Sequence, residues 1–104
     1  MRRFGQVARL KAECVEEYKR LHEAAWPDVL KMISQCNLRN YSIYLMGRDL
    51  FAYFEYNGDD FEGDMERMAA DPVTQDWWTH TKPCFENHEK QVYYEDMKEI
   101  FHWD

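Results

Sequence analysis

Tyr18, His22 and Trp26 follow one another at four-residue steps, so on a helix a phenol, an imidazole and an indole share one face. That stripe could line a small pocket in which the imidazole moves a proton. Histidine suits such work, because an ordinary pKa of about 6.5 lets it give and take a proton near neutrality. The phenol is a poor base at that pH, since it titrates near about 10. Core packing is the competing account. Aromatic stripes at this spacing commonly fill an interior, and a histidine among them is commonly just hydrogen-bonded.

The adjacent pair Trp77-Trp78 is the second feature. Neighbouring helical residues point about 100° apart, so two indoles in succession rarely enter the same core. One should reach a cleft, an interface or solvent. An indole face stacks on the C–H face of a sugar ring, and its N–H can hold a hydroxyl; an indole sealing a contact between subunits reads equally well. Tyr41, preceded by Asn40, is the third feature, and alternation leaves open whether it faces core or cavity.

Other chemistries lack residues to carry them. His22, His80, His88 and His102 show no i,i+4 metal spacing. Cys14, Cys36 and Cys84 are odd in number and far apart, with no CxxC or CxxH spacing, so neither a disulfide framework nor a zinc knuckle is expected. No glycine-rich phosphate loop and no GxSxG elbow occurs. The acidic pairs Asp59-Asp60 and Glu95-Asp96 fall at element ends, where capping or solvation explains them. No metal and no cofactor is expected.

The elements that must position these residues can be read along the chain. Residues 3–10 read as a strand with Phe4, Ala8 and Leu10 on one face and Val7 on the other. A helical pattern spans residues 14–36, broken at Trp26-Pro27 into two pieces, with Val29, Met32, Ile33 and Cys36 as the apolar stripe of the second. Residues 39–46 alternate, with Tyr41, Ile43 and Leu45 on one side and Ser42, Tyr44 and Met46 on the other. A short turn at Gly47-Arg48-Asp49 leads into an aromatic strand over 50–56, forming a hairpin. Asn57-Gly58-Asp59-Asp60 breaks the chain and supplies a helix cap before Phe61, Met65, Met68 and Ala69. Asp71-Pro72 starts another helix in cap-then-proline order, running to about Thr81. Residues 85–91 read as a solvated polar loop, and residues 97–103 as a last strand.

That order is β-α-β-β-α-β with one extra short helix, the ferredoxin-like α+β plan with helices on one face of an antiparallel sheet. The 104 residues form a single domain, 1–104. The sheet's other face carries several tyrosines and needs cover, for which a second copy of the chain is expected. A net charge of -7, from 20 acidic and 13 basic side chains, repels phosphate backbones and anionic lipid. Nucleic acid and membranes are therefore not expected as partners. Met1-Arg2-Arg3-Phe4 is followed by no apolar run of signal or membrane-span length, and a reducing cytoplasm is the expected compartment.

Taken in order, Glu17-Tyr18, His22, Trp26-Pro27, Asn40-Tyr41-Ser42-Ile43-Tyr44, Asp71-Pro72-Val73-Thr74-Gln75 with Trp77-Trp78, and Met97-Lys98-Glu99-Ile100-Phe101-His102 resemble the L-rhamnose mutarotase family. The resemblance runs over nearly the whole chain with almost unchanged spacing. It implies a homodimeric α+β barrel that interconverts the pyranose anomers of a monosaccharide, L-rhamnose, without metal or cofactor. It assigns the proton donor to His22 and sugar contacts to Tyr18, Tyr41, Trp77 and Trp78. Two departures stand out: the chain closes on Trp103-Asp104, where relatives carry leucine before the acid, and residues 84–94 fall where the family varies freely. Two other readings belong to different classes. One is a cofactorless oxygenase on the same type of barrel, and the other is a non-catalytic sugar-sensing module.

Overall fold

Every strand of the sheet runs antiparallel to its neighbours, in the order β2-β3-β1-β4. The computed structural model describes residues 1–104. The strands are β1 (Arg2–Arg9), β2 (Leu38–Met46), β3 (Asp49–Tyr56) and β4 (Glu95–Met97). The helices are α1 (Val15–Glu23), α2 (Pro27–Gln35), α3 (Phe61–Ala70) and α4 (Pro72–Thr81). This is the expected ferredoxin-like order, with two helices in each crossover rather than one.

Local chemistry sets the helix ends. Trp26 is extended (φ -67°, ψ 129°), as a residue before proline prefers, and Pro27 opens α2 where a missing N–H costs nothing. Asp60 caps α3 by accepting from the Gly63 N–H at 3.0 Å. Asp71 caps α4 by accepting from the Thr74 N–H at 2.9 Å and from its hydroxyl at 2.8 Å. Gly47, at φ +64°, forms with Arg48 a two-residue hairpin turn, and Asp49 already belongs to β3.

Strand β3 alternates cleanly, with Leu50, Ala52, Phe54 and Tyr56 buried toward the helices. Strand β2 does not. The register jumps between Arg39 and Ser42, so that Asn40 and Tyr41 share a place beside the single Phe54. This is a β-bulge, with Asn40 in the left-handed region at φ +49°. Leu38 points inward before the bulge. Unbroken alternation from Leu38 would carry Ser42 and Tyr44 inward and turn Tyr41 out. The extra residue reverses that, and Tyr41 packs against Phe54 with ring centroids 5.3 Å apart.

Three apolar clusters join sheet to helices. Leu10, Leu50, Tyr18, Cys84 and Phe85 meet at one end, Leu21, Val29 and Trp77 between α1, α2 and α4, and Leu38, Phe54 and Tyr56 under α3. Two expectations need correction here. Phe85 is not part of a solvated loop: it is buried, and its backbone bridges to Leu10. The last strand spans Glu95–Met97, not 97–103. Residues 98–104 lie beyond β4 as an exposed tail, with Ile100, Phe101 and Trp103 all more than three-quarters exposed. Hydrophobic content called for a strand, but a strand needs a neighbour to pair with, and this single chain offers the tail none. No helix is long and apolar enough to cross a membrane.

Candidate active site

A cavity of about 870 Å³ opens between the inner face of the sheet and the helices. Phe54, Phe61, Met65 and Met68 give the lining its apolar part, and His22, Tyr41, Trp78, Lys82, Tyr93 and Tyr94 also face it. No carboxylate lines it. Among the groups on its wall, only His22 has an ordinary pKa near neutrality.

His22 is held on three sides. Its Nδ1 lies 2.9 Å from the backbone carbonyl of Tyr18, one helical turn earlier. A carbonyl only accepts, so Nδ1 carries the hydrogen and Nε2 keeps the lone pair. The Tyr18 ring stacks on the imidazole at 4.3 Å, and the indole of Trp77 meets it edge-on at 5.3 Å. Burial pulls the His22 pKa below its ordinary 6.5, only partly countered by the bond to the Tyr18 carbonyl. At neutral pH the ring is therefore uncharged, with Nε2 ready to accept a proton.

The tryptophan pair splits as helix geometry requires. Trp77 is buried, wedged between His22 and Trp26, whose ring centroid lies 5.2 Å away. Trp78 is half-buried on the cavity wall, with the Lys82 ammonium 4.2 Å above its ring. The same ammonium lies 4.9 Å from the Tyr93 ring, and burial lowers its pKa. Tyr41 reaches the cavity through the β2 bulge. It is 39% exposed and lines the cavity, and burial raises its phenol above the ordinary value.

Tyr18 is placed differently from the other candidates. It is buried and does not line the cavity. Its hydroxyl lies 3.1 Å from that of Tyr94, which does. The structure thus gathers His22, Tyr41, Trp77 and Trp78 around one cavity, with Tyr18 one layer behind. Lys82, Tyr93 and Tyr94 also reach this wall and were not singled out in the sequence. Two signals pointed to them: Lys82 stands one helical turn after Trp78, and Tyr93-Tyr94 is an aromatic doublet closing a polar stretch. No group of three or more His, Cys, Asp or Glu side chains converges as metal ligands would.

Comparison with known proteins gives a consistent picture. The family model described as L-rhamnose mutarotase matches residues 3–103. The L-rhamnose mutarotase of Lactiplantibacillus plantarum is 30% identical, covering 100% of both chains. That of Bacillus subtilis is 31% identical over 100% of both, and that of Phocaeicola vulgatus 33% identical over 91% of both. Among solved structures, an L-rhamnose mutarotase from Formosa agariphila superposes with a TM-score of 0.81 at 19% identity, covering 100% of each chain. Tetracenomycin F2 cyclase of Streptomyces glaucescens, a type-II polyketide cyclase, shares the fold with a TM-score of 0.68 at 12% identity, covering 100% of this chain and 98% of the other.

Proposed function

The chain belongs to the L-rhamnose mutarotase family, and we propose that its cavity interconverts the α and β pyranose anomers of L-rhamnose with His22 moving the proton. The observation that carries this reading is the imidazole itself: neutral, clamped between Tyr18 and Trp77, with Nδ1 tied down and Nε2 free.

Ring opening breaks the C1–O5 bond. The anomeric hydroxyl loses its proton as C1–O1 becomes a carbonyl, and the departing ring oxygen gains one. Uncharged His22 accepts the first proton on Nε2, while water or a donor on the wall supplies the second. The aldehyde then turns about C1–C2, and the C5 oxygen closes on its other face, returning its proton to the group that supplied it. His22 now acts as the donor and returns its proton to O1. Each turnover uses the imidazole in both senses, and general acid–base help of this kind contributes about 10²–10⁴-fold in rate. The family resemblance assigns His22 the donor's part, whereas the neutral ring with Nε2 free favours its accepting first and donating on reclosure.

In this reading Trp78 and Tyr41 contact the sugar, and the apolar side of the cavity receives the C5 methyl of a 6-deoxy sugar. Trp77 and Tyr18 hold the imidazole. The chain works as a homodimer, in a reducing cytoplasm that keeps Cys14, Cys36 and Cys84 as thiols. Saturation-transfer NMR on the two L-rhamnose anomers tests the activity directly. Added protein should raise the exchange rate above the spontaneous one. Binding without faster exchange would identify a sensing module instead, and oxygen uptake with a quinol substrate would identify an oxygenase.

A further inference from the structure

Two phenols whose hydroxyls meet, Tyr18 and Tyr94, have unequal access to the cavity. Tyr18 is 5% exposed and absent from the wall, whereas Tyr94 forms part of the wall. Their hydroxyls lie 3.1 Å apart, and no buried polar side-chain atom in the molecule lacks a partner. A buried O–H must place its hydrogen on an acceptor, because leaving it unmatched costs free energy. The acceptor Tyr18 has is the Tyr94 oxygen. Tyr18 therefore donates, and the Tyr94 hydrogen, displaced from that line, is directed away from Tyr18. Accepting one hydrogen bond also makes a hydroxyl a stronger donor of its own. Burial raises both phenols well above their ordinary pKa, so both remain protonated donors at neutral pH.

We propose that Tyr94 hydrogen-bonds the sugar in this chain in place of Tyr18, and that Tyr18 is a positioning residue behind it that aims the Tyr94 hydroxyl into the cavity. The proposal rests on the mutarotase reading and deepens it at the same site. Segment 93–94 gains its place on the wall because the Tyr94 ring packs edge-on against buried Phe85, as does that of Tyr93. The backbone bridge from Phe85 to Leu10 anchors that contact to the sheet. Tyr94 is thus held by the core on one side and by the Tyr18 hydroxyl on another. Such a preorganised donor is worth more to a ligand than a mobile one.

The test is a double-mutant cycle on L-rhamnose exchange with Tyr94→Phe, Tyr18→Phe and the pair, each first shown to be folded by thermal melting. Tyr94→Phe should raise KM about 3- to 10-fold, the range of one lost neutral hydrogen bond, with a smaller change in kcat. Tyr18→Phe should raise KM less, and should add nothing in the Tyr94→Phe background. Melting supplies the contrast. Tyr94→Phe strands the Tyr18 hydroxyl and should lower Tm, whereas the double variant removes both hydroxyls and should recover part of that loss without recovering KM. Should Tyr94→Phe not fold, the double variant compared with Tyr18→Phe still reads the Tyr94 contribution. An active Tyr94→Phe enzyme with parental KM, or KM effects that multiply independently, would overturn the assignment while leaving the mutarotase reading intact. A parent protein that exchanges no anomers would sink both.

Discussion

At the scale of single residues, the site divides into a proton carrier, a sugar wall and a supporting layer, and each should fail in its own way. His22→Ala removes the group that acts as the C1–O5 bond breaks, so kcat should fall about 10²-fold or more with a smaller change in KM. A folded variant exchanging anomers at the parental rate would make His22 structural. The two indoles should separate. Trp78→Ala strips the wall and should chiefly raise KM, the mark of lost uniform binding. Trp77→Ala empties a buried position behind His22 and should instead cost about 3–5 kcal/mol of stability, read by denaturant unfolding. The His22 pKa, lowered by burial, sets two pH dependences. Because the neutral ring starts the cycle, the rate should fall on the acid side, with a midpoint below 6.5. The unfolded chain binds its imidazole proton more readily than the folded one. This contribution to stability is therefore complete above about pH 6.5 and is lost as pH falls through the folded-state pKa.

Secondary-structure elements carry these residues to one place, and their ends are set by side chains that touch no substrate. Helix α4 bears both tryptophans and begins at the Asp71 cap on Thr74. Asp71→Ala should cost about 0.5–2 kcal/mol, seen as a lower Tm, while Asp71→Asn keeps an acceptor oxygen and should cost less. The β2 bulge does for Tyr41 what the cap does for α4. Its left-handed residue, Asn40, also donates to the Glu55 carboxylate at 2.7 Å on the sheet's outer side. Much at this scale was legible in the sequence. Pro27 and Pro72 after Trp26 and Asp71 marked helix starts, and Gly47 marked the hairpin. The bulge was not legible, because Asn40-Tyr41 reads as ordinary strand until the partner strand shows two residues meeting one.

At the scale of the molecule, the sheet's outer face and the tail leave apolar surface unmatched. Tyr44 and Met46 are 66% and 69% exposed, beside Phe51 and Tyr53 on β3, and Ile100, Phe101 and Trp103 extend from β4. Small monomeric proteins rarely leave contiguous apolar surface on this scale uncovered. The proposed homodimer would cover it, isologously as two-fold assembly requires. Sedimentation at micromolar concentration should give twice the 12.7 kDa chain mass. A charged residue at the exposed Tyr44 should shift that equilibrium toward monomer. A wild-type monomer at that concentration would remove the claim.

What the sequence determined by itself is local or periodic. Helix stripes, caps before prolines, turn glycines and the alternation of β3 are written in neighbouring residues, and they sufficed for the ferredoxin-like order and for the Tyr18–His22 face of α1. Residue type and spacing singled out Tyr41, Trp77 and Trp78, and the family motif supplied their expected role as sugar contacts. What only tertiary structure decided is depth, since a helix face says which residues point together but not what stands in front of them. Tyr18 belongs to the right face yet lies in the supporting layer, because Tyr94 arrives from another part of the chain to occupy the space before it, and Trp77 both lines the cavity and backs His22. Phe85 sits in a polar stretch and is core because Leu10, far away in sequence, needs a cover. The apolar tail, strand-like in composition, forms no strand because a β-strand is completed only by a neighbouring backbone, and this chain offers the tail a side-chain ion pair from Arg3 to Glu99 but no ladder.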